Sequence, residues 1–118
     1  MSRSVLLQLA RDSIAEVFEA QRTIDKITLL KEHPLLNQKI QTTLNIYLDD
    51  ELRGSSSSKD STKSLLESII FNAKKAAFED KKFTPLTTSE YLSCEIELIL
   101  NTSDGIISEK DSAILKNQ

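Results

Sequence analysis

The strongest constraint on the fold is a wide apolar stripe at helical spacing between residues 62 and 79. Its members recur every three or four residues: Leu65, Leu66, Ile69, Ile70, Ala73, Ala76 and Ala77. This spacing predicts an amphipathic helix over 62–79 with one buried face. Ser64 and Glu67 stand three residues apart, as in an N-terminal capping box. Because three members of the stripe are alanines, we expect the helix to approach a sheet closely.

Two other segments alternate with a period of two residues, which predicts strands with one buried face. In 42–48 the apolar face holds Leu44, Ile46 and Leu48. In 92–100 it holds Leu92, Cys94, Ile96, Leu98 and Leu100, opposite Ser93, Glu95, Glu97 and Ile99. Asp49 and Asp50 follow the first strand and predict a turn, from which residues 51–53 return as the second arm of a hairpin.

The N-terminal part of the chain predicts two helices. Residues 4–20 place five apolar side chains at helical spacing: Leu6, Ala10, Ile14, Val17 and Phe18. Four charged residues are expected mostly on the opposite, solvated side: Arg11, Asp12, Glu16 and Glu19. A second, short helix is predicted over 24–31. It ends at His33 and Pro34, because a residue before proline is disfavoured in the α conformation.

The remaining segments predict connections and one more hairpin. Gly54 and the four serines after it predict a loop between the first hairpin and the main helix. Thr87 and Glu90 fit a second capping box, for a single helical turn. Residues 106–107 and 113–115 predict a closing hairpin. The fold class is therefore α+β, with a small antiparallel sheet packed against two main helices, at 4–20 and 62–79, in a single domain over residues 1–118.

Composition argues against several classes of protein. The chain has 118 residues, which suits one domain, and its net charge of -3 disfavours affinity that rests on phosphate contacts. Aromatic residues make up 5% and there is no Trp, so a stacking platform for single-stranded nucleic acid is not expected. One Cys and one His exclude disulfide frameworks and the common zinc motifs. We expect no metal, no other cofactor and no nucleic acid partner.

Hydropathy and charge patterning bear on location and on surface chemistry. No segment approaches the roughly 18 apolar residues of a membrane span, and the apolar run at residues 5–7 is too short for a signal peptide. We therefore expect a cytoplasmic protein without membrane association. Four lysines form a basic cluster that two carboxylates interrupt: Lys74, Lys75, Lys81 and Lys82, with Glu79 and Asp80 between them. A mixed charged face is favoured there over a nucleic-acid surface.

The segment 53–58 is the sharpest candidate site. Glycine permits a backbone conformation in which successive N–H groups converge on an anion, and arginine adds a charge. The candidate residues are Arg53, Gly54, Ser55, Ser57 and Ser58. Because the segment closely precedes a predicted helix N-terminus, it is a candidate for binding a phosphate or a carboxylate. The alternative, which cap and turn preferences favour, is a solvated turn whose serines cap the helix.

No residue is assigned a catalytic role. Ser55 would need a general base, and the only histidine, His33, is tied to it by no local pattern. Cys94 lies on the apolar face of a strand and is expected to be a small buried hydrophobe. Glu95 and Glu97 share the opposite face, where solvated carboxylates are favoured over an acid–base pair.

The order and spacing of several short segments resemble the AMME chromosomal region protein family, whose bacterial and archaeal members are called AmmeMemoRadiSam system protein A. The resemblance is carried by 6–14, 42–44, 51–54, 72–80, 83–87, Glu90, 95–97 and 104–106, and it is densest in 72–80. Nearly the whole chain is covered. The family has no established reaction, so the resemblance implies a fold more than a chemistry.

The chain departs from the family pattern in two places. Members usually carry a cysteine and a second glycine where this sequence has Ser55 and Ser57. They also extend beyond the match to 113–115, so the chain resembles a shortened, diverged relative or part of a longer chain, and we expect it to leave apolar surface uncovered. Taken together, these features favour a non-enzymatic interaction or accessory module that self-associates or binds a protein partner. The alternative is a component of a radical-SAM-associated modification system, with the anion site at 53–58.

Overall fold

The alternating and helical segments of the sequence meet in one four-stranded antiparallel sheet whose inner face is covered by helices. The structure is a computed structural model that describes residues 4–58, 62–102 and 104–114. Its elements in chain order are α1 (Val5–Glu19), α2 (Lys26–Glu32), a 3-10 turn (Pro34–Asn37), β1 (Gln41–Leu48), β2 (Glu51–Ser57), α3 (Leu65–Phe78), α4 (Thr88–Ser93), β3 (Glu95–Thr102) and β4 (Gly105–Asp111). The α+β prediction is confirmed.

The strands are ordered β2-β1-β3-β4, and each neighbouring pair is antiparallel. The β1–β2 hairpin turns at Asp49 and Asp50, whose φ angles of 52° and 65° are both positive. Two successive left-handed residues are typical of a type I′ turn, which matches the twist of the flanking strands. The predicted turn is confirmed.

The core lies between the sheet and the two long helices. Every residue of the predicted α3 stripe is buried, and α3 packs across β1 and β2 while α1 packs against α3. The Ser64 side chain accepts a hydrogen bond from the backbone N–H of Glu67 and caps α3, as predicted. Thr87 and Glu90 form a complete capping box at α4. These caps satisfy backbone donors that the first helical turn leaves free.

Helix α1 forms where expected, but its buried face differs from the prediction. Arg11 and Glu16, which we expected on the solvated side, are both buried, whereas Val17 is half exposed. Leu7, Arg11 and Ile14 share one helical stripe, so Arg11 follows its apolar neighbours into the interior. Charged side chains can be buried there because each finds partners, which are described below.

The prediction of a loop at 54–58 was wrong for most of that segment. Strand β2 continues to Ser57, and residues 55, 56 and 57 pair with Asn45, Leu44 and Thr43 of β1. The weak strand preference of serine is overridden because the β1 backbone needs hydrogen-bond partners along its length. Only Ser58 lies outside the strand.

The strand boundaries near the C-terminus also differ from the prediction. Leu92 belongs to α4, and β3 begins at Glu95, although the alternation of buried residues from Cys94 to Leu100 is confirmed. Ile106 and Ile107 lie in β4, which pairs with β3 through the adjacent turn rather than with 113–115. Residues 113 and 114 lie in no strand, and Leu115 is outside the described residues. Helix α2 begins at Lys26, two residues later than predicted.

Candidate functional site on strand β2 and the open face of the sheet

The structure divides the candidate residues of 53–58 between the two faces of the sheet. Gly54 and Ser56 are buried on the helix side, opposite Ile46 and Leu44 of β1. Ser55 and Ser57 are paired with Asn45 and Thr43 on the open side. Because successive strand residues point to opposite faces, the five candidate residues do not converge on one point.

Arg53 is the extra residue of a β-bulge in β2. Ile46 pairs with Gly54 and Tyr47 pairs with Leu52, so Arg53 has no opposite residue on β1. A bulge redirects the side chain of its extra residue. Here Nε and Nη2 of Arg53 donate to the two carboxylate oxygens of Glu90, at 3.1 and 3.0 Å. The guanidinium of the candidate anion site therefore already binds a carboxylate of the same chain.

Glu90 is held as an anion by this arrangement. The hydrogen bond from Arg53 is the main cause that lowers the pKa of Glu90, and the backbone N–H of Thr87 adds to it against the effect of burial. The same carboxylate therefore caps α4 and neutralises Arg53. A two-point arginine–carboxylate contact is geometrically specific as well as charged.

Gly54 is required where β2 crosses under α3. A Cβ atom built on Gly54 would lie 2.2 Å from the backbone oxygen of Ala76. No side chain can relieve that contact, because the obstructing atom belongs to the helix backbone. The glycine thus permits close strand–helix packing, and the alanine of the α3 stripe contributes to the same close approach.

Ser55 takes part in a row of polar side chains across the open face. The register places Ser55, Asn45, Glu97 and Lys110 side by side on the four strands, and we call these four residues the open-face row. Ser55 Oγ donates to Asn45 Oδ1 at 2.7 Å, and Asn45 Nδ2 donates to Glu97 Oε1 at 3.1 Å. Tyr47 also donates its hydroxyl to Glu97, at 3.1 Å.

The chemistry of the open-face row does not activate a nucleophile. The proton of Ser55 Oγ points to an amide oxygen, which is not a base, and activation of serine requires a base. The backbone N–H of Ser55 donates to Asp80 Oδ2 at 3.0 Å. Burial, together with the hydrogen bond to Glu97, raises the pKa of Tyr47, so the phenol stays protonated at neutral pH.

Ser56 and Ser58 support the sheet. Ser56 Oγ donates to Asn72 Oδ1 at 2.7 Å, and Asn72 Nδ2 donates to Thr42 Oγ1 at 2.8 Å, all within the core. The backbone N–H of Ser58 donates to the carbonyl oxygen of Thr42 at 2.8 Å. Asn72 is thus a polar bridge between α3 and the sheet. Sequence reasoning placed this asparagine in the helix but assigned it no role.

Anion binding at 53–58 stays a prediction, and the geometry makes its test specific. Glu90 is the group that an anion would have to displace from Arg53. We expect phosphate to raise the melting temperature more than chloride at equal ionic strength, Glu90→Gln to enlarge that difference, and Arg53→Ala to abolish it. The measurement is a thermal melt in each salt. An equal response of all three proteins would show that the segment binds no phosphate.

The remaining sequence candidates are structural in this fold. Cys94 is fully buried, as predicted, and burial raises the pKa of its thiol. Glu95 and Glu97 share the open face, as predicted. Glu95 lies 3.5 Å from Lys110 Nζ, whereas Glu97 accepts from Asn45 and Tyr47.

Within the described ranges, no three His, Cys, Asp or Glu side chains are grouped to hold a metal ion, and no helix is long and apolar enough to cross a membrane.

Sequence reasoning missed a buried polar cluster around Arg11. Its Nε donates to Asp111 Oδ2 at 2.6 Å, and its Nη atoms donate to the carbonyl oxygens of Tyr91, Cys94 and Ser112. The cluster joins α1 to the α4–β3 junction and to the end of β4. The available signal was the position of Arg11 between Leu7 and Ile14 on the buried stripe.

Glu16 forms a second buried contact that the charge pattern did not indicate. Its carboxylate accepts from the backbone N–H groups of Thr23 and Ile24, at 2.7 and 3.0 Å, and from Lys74 Nζ at 3.1 Å. Burial raises the pKa of Glu16, but the hydrogen bonds from Ile24, Lys74 and Thr23 outweigh it and lower the pKa below its usual value. Glu16 therefore fixes the second half of the α1–α2 connection, at Thr23 and Ile24.

Comparisons with known proteins bear on this fold and its departures. Protein SSO0193 of Saccharolobus solfataricus is 31% identical over 112 residues, which cover 91% of this chain and 48% of that protein. The crystal structure of uncharacterized protein PH0010 from Pyrococcus horikoshii has the same fold, with a TM-score of 0.69 and 24% identity over 80% of this chain and 48% of that one. The chain spans about half the length of these relatives. The family model AMMECR1 matches residues 7–113, and the chain therefore belongs to the AMMECR1 family.

Proposed function

We propose that the chain is a non-enzymatic interaction module that pairs with a second copy of itself through strand β4. The observation that carries the proposal is the position of β4 at the edge of the sheet. Among the described residues, β4 pairs with β3 alone, and its two isoleucines are exposed: Ile106 by 74% and Ile107 by 50%. An open edge that carries apolar side chains is a template for pairing with another strand.

The residue pattern of β4 favours a two-fold antiparallel pairing centred on Ile107. In this register Ile107 lies opposite its own copy, and Ile106 lies opposite Ser108 of the second copy. Asp104, in the turn directly before β4, and Lys110, within β4, are three residues to either side of the centre, so in this register each lies opposite the other's copy as an opposite charge. Cross-strand pairs of opposite charge favour a register, and a closed two-fold contact limits assembly to a dimer.

The contacts that Arg53 and Ser55 already make within the chain support a non-enzymatic role. Arg53 is neutralised by Glu90, and the Ser55 proton is donated to an amide oxygen.

The proposal includes a cytoplasmic location. The single cysteine supports it, since small secreted domains often depend on disulfides. A link to radical-SAM chemistry remains the alternative, to be judged by the anion-binding test at 53–58.

A charge swap tests the β4 pairing. Lys110→Glu alone sets two carboxylates opposite each other, and Asp104→Lys alone sets two ammonium groups opposite each other. We expect each single variant to weaken the dimer about tenfold, because attraction becomes repulsion at two symmetric contacts. An equal mixture of the two variants restores both pairs and is expected to form a heterodimer of parental affinity. Sedimentation equilibrium over a concentration series measures all three.

Matched isoleucine variants control for general effects of exposed charge. Ile107→Lys sets two lysines opposite each other at the centre of the pairing and is expected to leave a monomer. Ile27→Lys makes the same change at an exposed residue of α2 and is expected to leave the dimer intact. A parent that sediments as a monomer at every concentration would contradict the proposal. So would a mixture of the charge variants that associates no better than either variant alone.

A further inference from the structure

The two outer strands of the sheet differ in what lies along their edges. Among the described residues, β2 pairs with β1 alone, just as β4 pairs with β3 alone. An exposed edge presents unpaired N–H and C=O groups on which another strand can form. The outer edge of β2, however, is in contact with residues 80–90, which lead from the end of α3 into α4. We call this segment the β2 strap.

The first contact of the β2 strap takes the place of a further strand. The backbone N–H of Ser55 donates to Asp80 Oδ2 at 3.0 Å. In an antiparallel sheet each N–H points either to a neighbouring strand or away from it, and this one points away from β1 because it donates to Asp80. Asp80 Oδ2 therefore occupies the position that a carbonyl oxygen of another strand would take beside β2.

Asp80 is held in this position by its own segment. Asp80 Oδ1 accepts from the backbone N–H of Lys82 at 3.0 Å, and the backbone N–H of Phe83 donates to the carbonyl oxygen of Asp80 at 3.1 Å. Leu86 is buried in the core, and its N–H donates to the carbonyl oxygen of Ala77 at 2.7 Å. The β2 strap is thus fixed to the end of α3 by apolar and polar contacts.

Arg53 binds the β2 strap at a second place. Besides its two hydrogen bonds to Glu90, its Nη2 lies 3.4 Å from the hydroxyl of Thr84 and from the carbonyl oxygen of Pro85. The centre of its guanidinium lies 5.8 Å from the centre of the Phe83 ring. Arg53 is also the extra residue of the β-bulge, and bulges are one way in which edge strands avoid pairing.

The difference between the two edges matters for assembly. Pairing of two copies through β4, as proposed above, joins their sheets into one sheet that ends in β2 on both sides. If both β2 edges were open, each copy would carry two pairing edges, and the dimer would add further copies without a defined end. Continuous growth of a sheet in this way is a route to aggregation.

We infer that the β2 strap is an autoinhibitory contact that prevents β2 of one copy from pairing with β2 of another. Asp80 fills the outward N–H of Ser55, and the contact of Arg53 with Glu90 holds the adjoining part of the strap against the bulge. The inference rests on the proposed function only for its consequence, which is that assembly stops at two copies. Closure of the β2 edge does not itself depend on β4.

Asp80→Ala tests the inference, because it removes the acceptor from the edge and leaves the core unchanged. We expect sedimentation equilibrium to show species larger than the parental dimer. In a chain that also carries Ile107→Lys, which blocks pairing through β4, we expect Asp80→Ala to convert a monomer into a dimer. Glu79→Ala is the matched control, since it removes the same charge from the neighbouring, exposed residue and should leave both sizes unchanged.

A lysine on β2 shows which edge the new association uses. Lysine on an edge strand disfavours pairing, so Ser57→Lys added to Asp80→Ala should return each assembly to the size that it had with Asp80 in place. Larger species that persist in this double variant would overturn the inference. So would an Asp80→Ala protein of parental size in both backgrounds, or a Glu79→Ala protein that associates as strongly as Asp80→Ala.

Amide hydrogen exchange adds a measurement that requires no variant. We expect the Ser55 amide of the parent to exchange slowly although it points out of the sheet, and fast exchange there would contradict its contact with Asp80. The two proposals fail separately. A monomeric parent whose Asp80→Ala variant associates would refute the β4 pairing and support the strap, whereas a parental dimer that Asp80→Ala leaves unchanged would refute the strap alone.

Discussion

Replacement of Gly54 by alanine is expected to lower the free energy of unfolding by more than about 3 kcal/mol, at the upper end of the cost of overpacking. The new methyl group would lie 2.2 Å from the carbonyl oxygen of Ala76. Relief requires α3 to move away from β2, and that movement would open the core that the two elements share. Chemical denaturation of the purified variant measures the loss. Since single domains are stable by only about 5–15 kcal/mol, failure to fold is an equally informative result.

Ser57→Ala is the matched control for Gly54→Ala. Ser57 lies on the same strand and is exposed, and among the described residues its hydroxyl shares a hydrogen bond with that of Thr43. We expect its stability to change by less than about 0.5 kcal/mol, as at other surface positions. If Gly54→Ala were as stable as Ser57→Ala, the close approach of β2 and α3 would be wrong.

Replacement of Arg11 by methionine is expected to cost about 3–5 kcal/mol, the usual effect of removing one partner from a buried ion pair. Methionine retains much of the apolar bulk of arginine, so the loss reports mainly on the polar contacts. The Asp111 carboxylate would lose its guanidinium, and the carbonyl oxygens of Tyr91, Cys94 and Ser112 would lose a donor. Chemical denaturation of parent and variant provides the comparison.

Arg22→Met makes the same substitution at an exposed arginine and is expected to leave stability nearly unchanged. The two variants also differ in their effect on β4, because Asp111 is the last residue of that strand. Hydrogen exchange should show faster exchange of the β4 amides in Arg11→Met and parental rates in Arg22→Met. Equal stability of the two variants would mean that Arg11 is not held in the interior.

The secondary structure followed from local patterns wherever those patterns were long. The stripe of α3, the inward residues of β1 and β3, and the Asp49–Asp50 turn were all predicted correctly, because periodicity and turn chemistry act over a few residues. Prediction was wrong where a distant strand decided the conformation. The serines at 55–57 have turn character on their own, but the backbone of β1 holds them in a strand.

The candidate site shows a similar division. An arginine beside a glycine suggests a place for an anion, and the sequence contains no sign that Glu90 reaches Arg53 across 37 positions. The glycine suggests a flexible turn, whereas its surroundings show a close contact with Ala76. Residue type indicated that positions 53 and 54 were special. What the two residues contact, Glu90 and Ala76, is decided by the packing of parts of the chain that are distant in sequence.

By itself, the sequence determined the class of fold, the buried stripe of α3, the inward faces of β1 and β3, and the family. Each of these depends on the order and spacing of residues along the chain, which burial of apolar surface converts directly into structure. Only the tertiary structure decided that Arg11 and Glu16 lie inside, that β4 is the edge strand of the sheet in the described residues, and that a cleft lies between α3 and residues 22–27. Those properties depend on contacts between elements distant in sequence. The free energy of a buried charge or of an exposed strand edge depends on the groups that surround it. Those groups cannot be identified from the local sequence pattern.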